Sequence, residues 1–167
     1  MRSRFQSGYD GKESVLHSFA GHPTDGASPY SSLARDTAGN LYGTTAQGGA
    51  FGDGAVFKLD TSGKLTLLHS FSGGADGANP YAGLLRDAAG NFYGTAYSGG
   101  SGSCFADQGC GVVFKLDTTG KETVLRSFDG TDGQYPTAGL SRDTAGNLYG
   151  TTYRGFSSFG VVFKLTP

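Results

Sequence analysis

A unit of roughly fifty residues recurs three times and occupies almost the whole 167-residue chain. The copies open on SVLHSF, LTLLHSF and ETVLRSF, pass through RDTAGNLYGTT, RDAAGNFYGTA and RDTAGNLYGTT, and close on AVFKLD, VVFKLD and VVFKLT. The Ser-Phe landmark moves from Phe19 to Phe71 to Phe128, steps of 52 and 57 residues. Tyr-Gly-Thr moves from Tyr42 to Tyr93 to Tyr149, steps of 51 and 56. The motifs keep their spacing and the loops between them do not. A unit this small cannot bury its apolar face alone, so stacked copies are required. The expected organisation is an N-terminal extension over 1–12 and one array over 13–167, with units near 13–64, 65–121 and 122–167.

Helix is excluded by the breakers: Gly or Pro interrupts every window before an i, i+3, i+4, i+7 face can form. Each unit instead holds strand-sized apolar runs. In the second unit these are 66–71, 81–87, 91–97 and 112–117, and 122–128 follows as the outer strand. Two joints carry the pattern D-x-x-G, in which Asp bonds the backbone ahead and Gly takes φ > 0 to close a short hairpin. Asp36/Gly39, Asp87/Gly90 and Asp143/Gly146 are therefore read as structural turns. The expected fold class is all-β and β-propeller-like: three repeats of a four-stranded antiparallel meander, kelch-like in organisation. An open stack of sheets or a parallel β-helix is the competing arrangement.

Composition narrows the partners. Gly and Pro are abundant, at 30 and 5, yet 21 Phe and Tyr residues stand in regular clusters, as in a folded chain. A net charge of −1 gives no electrostatic reason for nucleic acid or an anionic membrane. No apolar run approaches a membrane span. No metal or cofactor motif occurs, so none is expected.

The composite pattern G-x-V-F-K-L-D-x-x-G-K…L-H-S-F…D-G-A-x-P-Y…L-x-R-D-x-A-G-N-L-Y-G-T-T-x-x-G-G resembles the GloVer-type tandem repeat over residues 9–165. The resemblance implies a secreted or cell-surface bacterial protein with a propeller-like fold, and it assigns no biochemical activity. The chain shows neither a signal peptide nor an anchor segment, so a piece of a longer array or a short oligomeric form is expected.

Candidate chemistry is sparse. The recurring Arg35-Asp36, Arg86-Asp87 and Arg142-Asp143 could ring a cation or serve as acid and base, but their repetition and following Gly favour turns. They also resemble the structural Asp-box turns of other propellers, with Tyr149 and its equivalents in place of Trp. His17 and His69 share a position that Arg126 fills in the third unit, which argues against a ligand or base there. His22 is expected to face solvent. The Gly-rich runs 48–54 and 99–104 match no phosphate or calcium motif. Cys104 and Cys110 flank an insertion in the second unit and are expected to close a small disulfide ring, as in an oxidising compartment.

A meander alternates its connections between two ends. One end carries the uniform D-x-x-G turns and the other all the length variation, together with Tyr30, Phe51, Tyr81, Tyr97, Phe105, Tyr135, Tyr153 and Phe156. That loop end is the expected binding face. The function expected is a non-enzymatic extracellular or surface repeat module, structural or adhesive, with glycan or peptide as ligand. The alternative is a propeller glycoside hydrolase or a lectin acting on polysaccharide. Residues 14–19 read as an outer strand, and the third unit has none after 161–167. The expected partners are therefore a second copy, making a six-bladed ring, or further repeats of a longer chain.

Overall fold

A computed structural model describes residues 11–104, 108–156 and 159–166, and every regular element among them is β-strand. β1 (Gly26–Ala27) belongs to a small loop ribbon. The first sheet contains β2 (Ala34–Arg35) and β3 (Leu41–Thr45); β4 (Gln47–Gly48) then pairs with β1, and β5 (Ala55–Leu59) and β6 (Leu65–Ser70) complete the sheet. The second sheet is β7 (Leu85–Arg86), β8 (Phe92–Ala96), β9 (Val112–Leu116) and β10 (Glu122–Ser127). β11 (Ser141–Arg142), β12 (Leu148–Thr152) and β13 (Val161–Leu165) form the third. Every pairing between these strands is antiparallel and joins sequence neighbours within a sheet.

Register repeats with the sequence. Gly43, Gly94 and Gly150 stand opposite Phe57, Phe114 and Phe163. A Cβ on Gly94 would lie 2.5 Å from the Phe114 ring, so the glycine of Tyr-Gly-Thr is the space into which the ring lies. The outer strands β6 and β10 each carry one extra residue at the same place, Leu68 opposite the Val56–Phe57 step and Leu125 opposite the Val113–Phe114 step.

The core lies between sheets rather than within one. Val56 and Phe71 of the first unit meet Leu84, Phe92, Val112 and Phe114 of the second. On the opposite face of that second sheet, Tyr93, Val113 and Phe128 meet Leu148 and Phe163. Alternate residues of β9 thus serve different interfaces, as the two-residue strand period requires. The same sequence VVFKL is buried at both faces in β9 and alternately exposed in β13, because only the former has a sheet on each side. Hydroxyls join neighbouring units: Thr44 donates to the carbonyls of Pro80 and Ala82, and Thr95 to that of Ala138.

Several sequence expectations are corrected. The inner strand expected over 81–87 contracts to Leu85–Arg86, because the Ala82 carbonyl is taken by the Thr44 hydroxyl instead of a ladder. Residues 14–19 lie beside the first sheet but form no strand, pairing with neither of its edge strands, β2 and β6. The β1–β4 ribbon was not anticipated; the bridges Ala78↔Ser98 and Gln134↔Arg154 repeat it in the other units. Of the extension expected over 1–12, residues 1–10 lie outside the described residues.

Candidate functional site

At the turn end, each Asp of R-D-x-x-G-N is saturated. Asp36 accepts from the Asn40 backbone at 2.9 Å, the Asn40 amide at 2.7 Å and the Tyr42 hydroxyl at 3.0 Å. Asp87 and Asp143 repeat this set with Asn91, Tyr93, Asn147 and Tyr149. Gly39, Gly90 and Gly146 close the turns at φ 92, 91 and 91°. The side-chain bond from Asn, ahead of the bonds from backbone and Tyr, holds Asp36 and Asp143 down at about 2. A carboxylate so held is a poor proton donor near neutral pH.

These carboxylates titrate lower in the folded chain than at their ordinary 3.8. Their contribution to stability is therefore present above about pH 4 and is lost as pH falls toward 2. Thermal melts should show Tm dropping across that window, and D36N and D143N variants should show a shallower drop. An undiminished drop in both would remove the carboxylates from the account.

The histidines belong to a motif that residue-type reasoning missed. His17 Nε2 lies 3.1 Å from Asp25 Oδ2 and His69 Nε2 lies 3.4 Å from Asp76 Oδ2, while Arg126 pairs with Asp132. The exchange of His for Arg is explained: each side chain reaches from an outer segment to the Asp of the Asp-Gly in the following loop. The signal was present as co-occurrence of that His or Arg with D-G in every unit. His22, exposed as expected, also donates from Nδ1 to the Gly49 carbonyl at 2.9 Å. Glu122 is pushed up to about 7 by burial and by the nearby Asp76, at the outer edge of the second sheet.

The loop end is a layer held by backbone bonds. Ala78 and Ser98 exchange bonds of 2.8 and 3.1 Å, as Gln134 and Arg154 do at 2.9 and 3.1 Å. Bonds from Asn79 to Asp53 and from Tyr135 to Cys110, both 2.8 Å, tie each unit to the one before. Cys104 and Cys110 are joined as a disulfide, with Cys110 buried in the layer beneath Phe128.

On this layer four tyrosines form a continuous row. Tyr30 and Tyr81 lie 5.6 Å apart between centroids, Tyr81 and Tyr97 5.4 Å edge-on, and Tyr97 and Tyr135 4.8 Å apart and stacked. The row ends at an open cleft of about 300 Å³ lined by Tyr97, Gln108, Tyr135, Tyr153 and Arg154. The Arg154 guanidinium lies 5.7 Å over the Tyr153 ring. Burial, then the neighbouring Tyr135 and Tyr81, raise the Tyr97 phenol above its ordinary value, so it stays a neutral donor. Tyr30 and Tyr153 are mostly exposed, whereas Tyr135 is tucked beneath Tyr97 with 7% of its surface accessible. Phe51 and Phe156 are exposed but do not line the cleft, and Phe105 lies outside the described residues.

The Gloeobacter/Verrucomicrobia repeat matches residues 4–167, the span over which this geometry recurs. The chain belongs to this repeat family. No curated protein matches it. Among solved structures, an X-ray structure of a protein provisionally named a gluconolactonase is similar at 17% identity and a TM-score of 0.46, over 81% of this chain. The chain spans 43% of that protein's length. In the Gloeobacter/Verrucomicrobia repeat seen here, the recurring residues build turns, His/Arg-to-Asp contacts and sheet contacts. The tyrosine row draws on positions that differ from unit to unit: Tyr97 and Tyr153 occupy the place of Ala46, and Tyr135 that of Asn79 and Ser28.

Proposed function

We propose that this chain is a non-enzymatic repeat module of the β-propeller type, working outside the cell or at its surface, and that it binds a glycan along the tyrosine row. The carrying observation is the row itself, with Gln108 and Arg154 at its open end. Aromatic faces suit the apolar C–H faces of sugar rings, and amide and guanidinium donors suit their hydroxyls. The disulfide across the loop insertion supports an oxidising location. Successive meandering sheets stacked face to face support the propeller arrangement.

The hydrolase alternative needs two carboxylates with opposed pKa values flanking one bond. Asp36, Asp87 and Asp143 are consumed in turns at the end opposite the cleft, and the raised carboxyl, Glu122, stands on an outer strand. Both placements support the non-enzymatic reading.

A glycan array probed with purified protein should give a discrete set of binders. Tyr97→Ala and Tyr153→Ala should each weaken binding about tenfold, equivalent to ~1.4 kcal/mol, with the melting transition retained. Ala89→Ser, at an exposed tip of the turn end, should leave binding unchanged. Binding to extended peptides but no glycan, or equal losses from the turn-end variant, would defeat the assignment.

A further inference from the structure

We propose that the groove between the first and second sheets at the turn end is a binding site for a tetrahedral oxyanion, the phosphate or sulfate group. The groove encloses about 440 Å³ and is lined by residues of two complete four-stranded sheets. It lies at the end opposite the tyrosine row and is separate from it. One wall carries Tyr42 and Lys58, which stand directly opposite each other on β3 and β5 and so share a face. The other carries Arg86, Phe92 and the turn over 118–120. The Phe92 ring lies 4.5 Å from the Tyr42 ring, and the Arg86 guanidinium lies 6.0 Å from the Phe92 centroid. Each of the two units thus sends a cation into one cleft.

The guanidinium is positioned by the turn that it covers. A Cβ on Gly90 would lie 3.2 Å from an Arg86 guanidinium nitrogen and 3.2 Å from the Thr118 methyl, so the bare glycine leaves the space in which both sit. Gly39 does the same for Arg35 and Thr61, at 3.3 and 3.2 Å. Arg86 is exposed and Lys58 half-buried. Neither forms an ion pair or donates a side-chain hydrogen bond among the described residues. The carboxylates of the adjoining turns are committed elsewhere. Asp36 and Asp87 are held by their Asn and Tyr partners, Asp60 accepts from Ser62 and Lys64, and Asp117 accepts from Thr119 and Lys121.

The arrangement recurs between the second and third sheets. There Lys115 Nζ and the Arg142 guanidinium stand 6.0 and 5.7 Å from the centroid of one ring, Tyr93, in a groove of about 330 Å³. Lys115 lies opposite Tyr93 as Lys58 lies opposite Tyr42. Two like charges brought to one ring repel, and the ring's quadrupole offsets that only in part. An anion between them turns the repulsion into two attractions. A planar carboxylate fits less well, because a guanidinium fork alone engages both of its oxygens. A tetrahedral group has oxygens to spare: it can meet the fork of Arg86 and still face the Lys58 ammonium, with the Thr118 hydroxyl lining the same groove.

The test is titration of the whole chain with inorganic phosphate at constant ionic strength, followed by amide NMR, with chloride as the control. Saturable shifts should appear at Gly90 and over 118–120, while the amides of Ala78 and Ser98 at the loop end stay still. Lys58→Gln and Arg86→Gln should each weaken binding at this groove about tenfold with the melting transition retained, as loss of one charge-assisted hydrogen bond requires. Lys115→Gln should leave the Gly90 response intact and weaken only that at Gly146. Glucose 6-phosphate separates the sources: binding no tighter than that of inorganic phosphate assigns the free ion, and tighter binding assigns a group borne on a saccharide. Shifts that chloride reproduces, shifts that never saturate, or unchanged binding in either Gln variant would each overturn the proposal and leave Lys58 and Arg86 as solvated cations beside aromatic rings.

Discussion

Phe114→Ala should destabilise the chain by about 3–5 kcal/mol, read as a lowered urea midpoint with little change in slope. The ring is fully buried, packs edge-on against Phe71 and fills the space that Gly94 leaves open. Truncation removes its transfer free energy and leaves a cavity between two sheets that backbone pairing holds apart. The loss would be a large share of the roughly 5–15 kcal/mol that separates folded from unfolded domains. Phe163 makes the equivalent contact with Phe128, but on a strand with one open edge and with its side chain half-exposed. Phe163→Ala should therefore cost about half as much. Equal losses at the two sites would mean that the second sheet is no better packed than the third.

Gly111→Ala should cost about 3 kcal/mol, the sum of a left-handed backbone strain and an overpacking term. Gly111 sits at φ 95°, donates to the Gly99 carbonyl and accepts from Phe128 just before β9 begins. An added Cβ would lie 2.5 Å from Pro136 Cδ and 2.7 Å from the Ala96 and Tyr97 carbonyl oxygens. None of these is a flexible side-chain end, so the loop layer itself would have to move. Gly63 separates the two contributions: its φ is 85°, yet nothing lies within 4 Å of the added carbon. Gly63→Ala should cost about 1 kcal/mol, the strain alone. If both variants lose the same amount, the close approach of Pro136 contributes nothing.

Much of the architecture was legible because local chemistry and repetition agreed. D-x-x-G named the hairpin turns that join strands within the sheets, since both the Asp acceptor and the Gly dihedral are local requirements. The apolar run VVFKL marked a strand. The short β7 was less legible: whether the Ala82 carbonyl joins a ladder depends on Thr44, which lies in another unit. Residues 14–19 failed as a strand for a similar reason, because strand character needs a partner that sequence pattern alone does not supply. At the loop end, Tyr30, Tyr81 and Tyr97 were identified from position, but their continuity through Tyr135 depends on how loops from successive units abut. The pairing of His17, His69 and Arg126 with Asp25, Asp76 and Asp132 was hidden by judging each side chain singly.

The hydroxyls of Thr44 and Thr95 give the array a sense of direction. Each unit presents a donor to the unit after it and bare carbonyls to the unit before it, so the two sides of a unit are not interchangeable. Units can therefore be added, removed or permuted as whole cassettes without inventing a new interface, provided that they run the same way.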